Sequence, residues 1–114
     1  MVERTLLGSY RIAPDETISR VEIHRLMLPP GAKTGMRHHP YPVVNYMLAG
    51  SVVVQIEGDV QRLFGAGDVV FEPADTTVLR FDNASDTLPA TFVASYLQGA
   101  DENELINRML EFVV

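Results

Sequence analysis

The sequence predicts an all-β domain, an antiparallel sandwich or barrel with one short helix at its end. Three observations carry that expectation. Apolar and polar residues alternate at a period of two along most of the chain. Clusters of glycine, proline and aspartate interrupt the alternation at intervals of roughly 8–12 residues. At 114 residues the chain holds one core and little more.

The elements follow in order. Residues 6–12 form a short apolar-rich segment that ends at Ala13-Pro14-Asp15. Residues 18–28 alternate and stop at Pro29-Pro30-Gly31, but their register stays open. One face carries Glu22, His24, Leu26 and Leu28, the other Val21, Ile23, Arg25 and Met27, and neither is clean. Residues 43–48 are β-branched and aromatic, and Ala49-Gly50 ends them. Residues 51–57 and 60–64 flank Gly58-Asp59, which reads as a two-residue hairpin turn. Strands over 69–72, 77–82 and 90–97 complete the set, separated by turn signals such as Pro73-Ala74-Asp75. A helix is expected over about residues 101–111. Asp101 suits its first orphan N–H groups, and Glu102 and Glu104 suit the positive end of its dipole. Leu105, Ile106, Met109, Leu110 and Phe112 give that helix an apolar stripe for packing.

Composition excludes several function classes. A hydrophobic share of 46% is enough to build a core, which argues against a disordered chain. The absence of cysteine removes disulfides, thiolate metal sites and a cysteine nucleophile. Nine basic against fifteen acidic residues give a net charge of -6, with the basic ones scattered, so no nucleic-acid partner is expected. No membrane partner is expected either, because the apolar runs are far shorter than a bilayer span. The opening Met1-Val2-Glu3-Arg4 lacks the apolar stretch of a signal peptide, so a cytoplasmic location is the expectation.

The glycine and proline positions resemble the cupin superfamily, in particular its small single-domain members with a conserved barrel. The family's first motif is G-x5-H-x-H-x3,4-E-x6-G. Gly31, Arg37, His39, Val43 and Gly50 occupy it without a gap. Its second motif is G-x5-P-x-G-x2-H-x3-N, and Gly67, Pro73, Asp75, Val78 and Asp82 occupy that one. His39-Pro40-Tyr41-Pro42 followed by Tyr46-Met47-Leu48-Ala49-Gly50 looks like the H-P-x-P…Y-V-L-x-G form of the small members. The resemblance spans roughly residues 18–97 and implies a double-stranded β-helix, or jelly roll, over a single domain of residues 1–114. It also implies a homodimer, since small cupins commonly pair and the apolar strand faces need cover.

In metal-binding relatives, two histidines and a glutamate of the first motif and a histidine of the second hold a divalent metal. Carried over by position, those four places hold Arg37, His39, Val43 and Val78. A guanidinium has donors only and valine has no ligand atom, so only His39 is retained and no cofactor is expected. A divalent metal held by His39 and an inward His24, completed by Asn45, Asp75 or water, is the exception to that expectation.

The same register turns Arg37 and His39 inward and His38 outward. A buried Arg37 needs a counter-charge: Glu72, Asp75 or Asp82 from the chain itself, or an anionic ligand held bidentately. His39 reads either as a hydrogen-bonded relic of an ancestral metal site or as a general base. Alternation places Asn45 and Met47 with Val43, and Tyr46 and Leu48 opposite. It also places Arg80 and Asp82 with Val78, which would send Leu79 and Phe81 outward, an uncomfortable arrangement unless the outer face is covered, as in a dimer, or the register is off by one there.

Three functions from different classes remain. The first is a barrel that binds a small anionic or carbonyl-bearing molecule in its mouth, lined by Arg37, His39, Asn45, Met47 and Val78. The second is an enzyme. One version resembles the metal-independent cupin isomerases and epimerases, with His39 as base and Tyr41 or Tyr46 as acid; the other is an oxygenase or lyase with an atypical metal site. The third is a non-catalytic structural or regulatory module. Gly65-Ala66-Gly67 leads into a strand and is no dinucleotide fingerprint, and no serine sits in a nucleophile motif.

Overall fold

Period-two alternation only becomes a fold when neighbouring strands agree on which face is inside. The computed structural model describes residues 1–14 and 16–99, and in it eight strands make that agreement. They are β1 (Arg20–Leu28), β2 (Arg37–His39), β3 (Val43–Ala49), β4 (Ser51–Ile56), β5 (Arg62–Gly65), β6 (Val69–Glu72), β7 (Thr76–Asn83) and β8 (Ala90–Gln98). Two four-stranded antiparallel sheets result, in the orders β1-β8-β3-β6 and β2-β7-β4-β5, packed face to face as a jelly roll.

β8 settles the open register of β1. Its residues alternate without exception, burying Ala90, Phe92, Ala94, Tyr96 and Gln98. Pairing places Glu22 opposite Tyr96, His24 opposite Ala94, Leu26 opposite Phe92 and Leu28 opposite Ala90, so this mixed face of β1 turns inward. Val21, Ile23 and Met27 are left on the outer surface.

Continued through β3 and β6, the ladder makes inward rows that change character along the barrel axis. One row reads Glu22, Tyr96, Val43, Glu72, and the next His24, Ala94, Asn45, Val70. Beyond them come Leu26, Phe92 and Met47, then Leu28 and Ala90. Phe81 reaches across from the second sheet to Phe92, with ring centroids 5.0 Å apart, and Val52 and Val54 close the apolar end. The polar and apolar halves of the interior are therefore built on the same strands.

The discomfort at β7 has a physical answer. Gln55 pairs with Arg80 and the next residue, Ile56, with Val78, leaving Leu79 out of the ladder. That bulge shifts the register by one residue, so Val78 and Phe81 both face inward although three positions separate them.

Two elements differ from the sequence expectation. Residues 6–12 form no strand; β2 makes up the count of eight instead. Their large side chains are mostly exposed, and Tyr10 stacks on Phe71 at 4.5 Å with the rings nearly parallel. β-propensity needs a ladder partner to become a strand, and this segment has a stacking partner in its place. The turn at Gly58-Asp59 is also wider than two residues, because the β4–β5 ladder stops at the pair Val54 and Arg62. Asp59 accepts the Val60 N–H at 2.8 Å, and Gln55 donates to the Asp59 carbonyl at 3.3 Å, local bonds that replace the last ladder bonds.

Gly50, between β3 and β4, has φ +76°, and a Cβ there would overlap the Pro89 carbonyl, so this turn requires glycine. The helix expected over 101–111 lies outside the described residues. Among the described residues no helix is long and apolar enough to cross a membrane.

Candidate functional site

The polar half of the barrel is assembled from five strands and one loop residue. β2 supplies Arg37 and His39, paired with Val78 and Thr76 of β7. The loop after β2 supplies Tyr41, β3 Asn45, β6 Glu72, β8 Tyr96 and Gln98, and β1 Glu22 and His24.

Glu72 is the centre of the arrangement. It is almost wholly buried, and its Oε2 accepts a hydrogen bond from Asn45 Nδ2 at 2.7 Å. Asn45 Nδ2 also donates to the Val70 carbonyl at 3.2 Å, so both its hydrogens are committed and the orientation of the amide is settled. Glu72 Oε1 has no hydrogen-bond partner among the described residues and lies 3.7 Å from His39 Nε2. Burial pushes the Glu72 carboxyl up to about 7, against the opposing pull of the Asn45 hydrogen bond and the Arg37 charge. Near neutral pH the group is thus poised between acceptor and donor.

Aromatic rings wall the pair. The His39 ring centroid is 5.4 Å from that of Tyr41 and 6.4 Å from that of Tyr96, the latter edge-on. Burial, followed by the nearby Glu72 and Tyr41, drives the Tyr96 hydroxyl far above its ordinary range, so it stays a neutral donor.

A second histidine–carboxylate pair lies on β1. His24 Nε2 is 3.3 Å from Glu22 Oε1, and the His24 ring meets Tyr96 edge-on at 5.9 Å. Arg20, half-exposed at the rim, stands 3.7 Å from Glu22 and donates from Nε to Gln98 Oε1 at 2.7 Å.

The residues singled out from sequence divide clearly. Arg37, His39, Asn45 and Val78 do meet at this end. Met47 does not, being level with Phe92 in the apolar half. Tyr46 does not either: it is 38% exposed on the outer face of β3, and Tyr41 is the tyrosine beside His39. Of the acids offered as partners for Arg37, Glu72 feels its charge. Asp82 instead pairs with Arg80 at 2.9 Å and accepts the Thr34 N–H, and Asp75 lies exposed, 3.7 Å from the outward His38. Sequence reasoning missed Glu22, Tyr96 and Gln98. The signal for the last two was present in the unbroken alternation of β8, which carries one side-chain set from Ala90 to Gln98.

The residues present do not fit the four-ligand metal set of the resembled family. Arg37 offers donors only, Val43 and Val78 are buried hydrocarbon, and His39 alone could bind. Nor do the described residues bring three histidine, aspartate or glutamate side chains into a ligating cluster.

The family model described as Cupin domain matches residues 24–96. Among solved structures, a Cupin 2 conserved barrel domain protein from Salinispora arenicola is 21% identical, with a TM-score of 0.62, over 86% of this chain and 79% of that one. The DMSP lyase DddQ from Ruegeria pomeroyi is 22% identical with a TM-score of 0.62, over 71% of this chain and 40% of that one. A cupin-like protein from Thermotoga maritima is 22% identical with a TM-score of 0.61, over 68% and 57%. This chain therefore spans only about half the length of these last two, and at such identities the likeness is one of fold. No curated protein matches the chain.

Proposed function

This chain belongs to the Cupin domain family, and on that premise we propose that its barrel binds a small carboxylate- or carbonyl-bearing molecule in the polar half, without the family's metal. One observation carries the reading: the inward guanidinium of Arg37 acts on a fully buried carboxyl, Glu72, whose Oε1 has no hydrogen-bond partner among the described residues. Arg37 supplies the fixed positive charge and a forked set of donors that match a carboxylate. Protonated Glu72 offers one further donor to a ligand oxygen, and the buried Val43 beside Glu72 and Val78 beside Arg37 keep water from the pair. The apolar half sets the floor.

A second reading is favoured by one contact. His39 lies 3.7 Å from Glu72 and beside Tyr41, so one proton is available to be passed at the ligand. That is the arrangement a metal-independent isomerase or epimerase needs, with His39 as base and Tyr41 as acid. Exchange of a ligand C–H for deuterium, followed by NMR, separates this enzyme from a binding protein.

Calorimetry with small carboxylates and aldehydes tests the main reading on the wild type and Arg37→Met. The variant is expected to lose affinity by about 10- to 100-fold with little change in melting temperature. A variant that melts at a much lower temperature with ligand affinity unchanged, or a wild type that binds none of these molecules, would make Arg37 half of an internal ion pair and overturn the proposal.

A further inference from the structure

Gln98 is fully buried at the end of β8, on the same inward face as Tyr96. Its orientation is fixed by chemistry. Arginine carries donors only, so the atom 2.7 Å from Arg20 Nε must be the amide oxygen, and Nε2 points the other way. That Nε2 has no hydrogen-bond partner among the described residues. Buried donors are nearly always satisfied, and one left open at a polar site invites an acceptor from outside the chain.

The placement says which acceptor. Gln98 stands one row outward from Tyr96, which in turn feels the charges of Glu72, Glu22 and Arg37. An acid lying along this inward face, past Tyr96, would bring a second oxygen to the row of Gln98. The Glu22 carboxylate beside this path is offset by Arg20 at 3.7 Å, so a second oxygen on the ligand meets a donor with its neighbouring negative charge balanced.

We propose that Gln98 is a specificity-determining residue: its amide donates to a second oxygen of the bound molecule, so that the site selects small hydroxy-, oxo- or dicarboxylic acids over plain monocarboxylic acids. This rests on the anion-binding reading above and extends it to the class of ligand. A site built to hydrogen-bond a ligand oxygen discriminates strongly against the analogue lacking it, because the protein donor is then left unpaired.

The experiment is calorimetry of the full chain with propanoate, lactate, pyruvate and malonate, on the wild type, Gln98→Met and Gln98→Glu. The wild type is expected to prefer at least one of the three oxygen-bearing acids over propanoate by about tenfold or more. In Gln98→Met, which keeps the volume and removes the donor, propanoate affinity should hold while the preference falls to about one. Gln98→Glu keeps the acceptor for Arg20, so it should lose the preference with that contact intact. Binding of all four acids by the wild type with equal affinity would overturn the assignment of Gln98 and leave the anion-binding reading standing. So would a preference that survives in both variants. No binding of any of the four by the wild type would instead defeat the anion-binding reading, and this one with it. Equal wild-type affinities overturn the assignment whatever the variants do, and where one variant fails to fold the other decides whether the preference belongs to Gln98.

Discussion

The two halves of the barrel interior are built by the same strands and filled in opposite ways. β1 contributes Leu26 and Leu28 to one half and Glu22 and His24 to the other; β8 contributes Phe92 to one and Tyr96 and Gln98 to the other. Alternation is identical in both, so backbone geometry does not distinguish them. The difference lies in how the side chains are satisfied. Leu28, Met47, Phe81 and Phe92 need only contact, and the packed sheets supply it. Glu72 and Gln98 need hydrogen bonds, and each keeps one buried atom with no hydrogen-bond partner among the described residues. One half is closed by its own packing; the other leaves buried polar atoms open, and under the proposed function a ligand completes them.

The largest effect should come from the apolar half. Phe92→Ala removes a fully buried ring that packs on Phe81 and leaves a cavity between the sheets. A loss of about 3–5 kcal/mol is expected in urea denaturation, enough to leave the domain marginal at room temperature. A loss below about 1 kcal/mol would mean the apolar half is not the stabilising part of the barrel.

The polar half should answer next, and to pH. Glu72 is raised in the folded state from an ordinary value of 4.5 to about 7, with burial as the main cause. The folded state therefore binds more protons than the unfolded one between these values. Its contribution to stability is fully present below about 4.5 and is lost as pH rises through about 7, a fall of about 3 kcal/mol across the window. Glu72→Gln keeps an acceptor for Asn45 and removes the charge. It should flatten the dependence and make the protein more stable than wild type at pH 8. Denaturation curves from pH 4 to 8 check this, and a wild-type stability that rises steadily with pH would show that Glu72 is solvated.

The two halves were also unequally legible in the sequence. The fold followed from alternation and turn residues because strands such as β8 carry one clean face. The motif spacing likewise placed Arg37 and His39 at one end, and the structure keeps them there. β1 was illegible alone, since Glu22 and His24 look like a solvent face until the pairing with β8 turns them inward. The bulge at Leu79 was hidden for a similar reason: it exists only in the register between β7 and β4. Polar residues on a mixed strand are seen as interior only once a neighbour's register is known, and this is why Glu22 escaped; Gln98 continues β8's own alternation but lies one residue beyond the strand expected over 90–97.

The smallest effects make the sharpest test of where the polar half ends. Tyr41 and Tyr46 were equal candidates from sequence as acids for His39. In the fold they part, Tyr41 buried 5.4 Å from the His39 ring and Tyr46 on the outer surface of β3. Tyr46→Phe should change stability by less than about 0.5 kcal/mol and leave carboxylate affinity untouched, as surface substitutions do. Tyr41→Phe removes a hydroxyl from the wall of the site and should weaken carboxylate binding by about 3- to 10-fold, the scale of one hydrogen bond. Calorimetry on the two variants side by side gives the comparison an internal control, because each deletes the same oxygen from the same kind of residue. Equal losses from both would mean that the site opens through the sheet to its outer face, and that the interior is not its boundary.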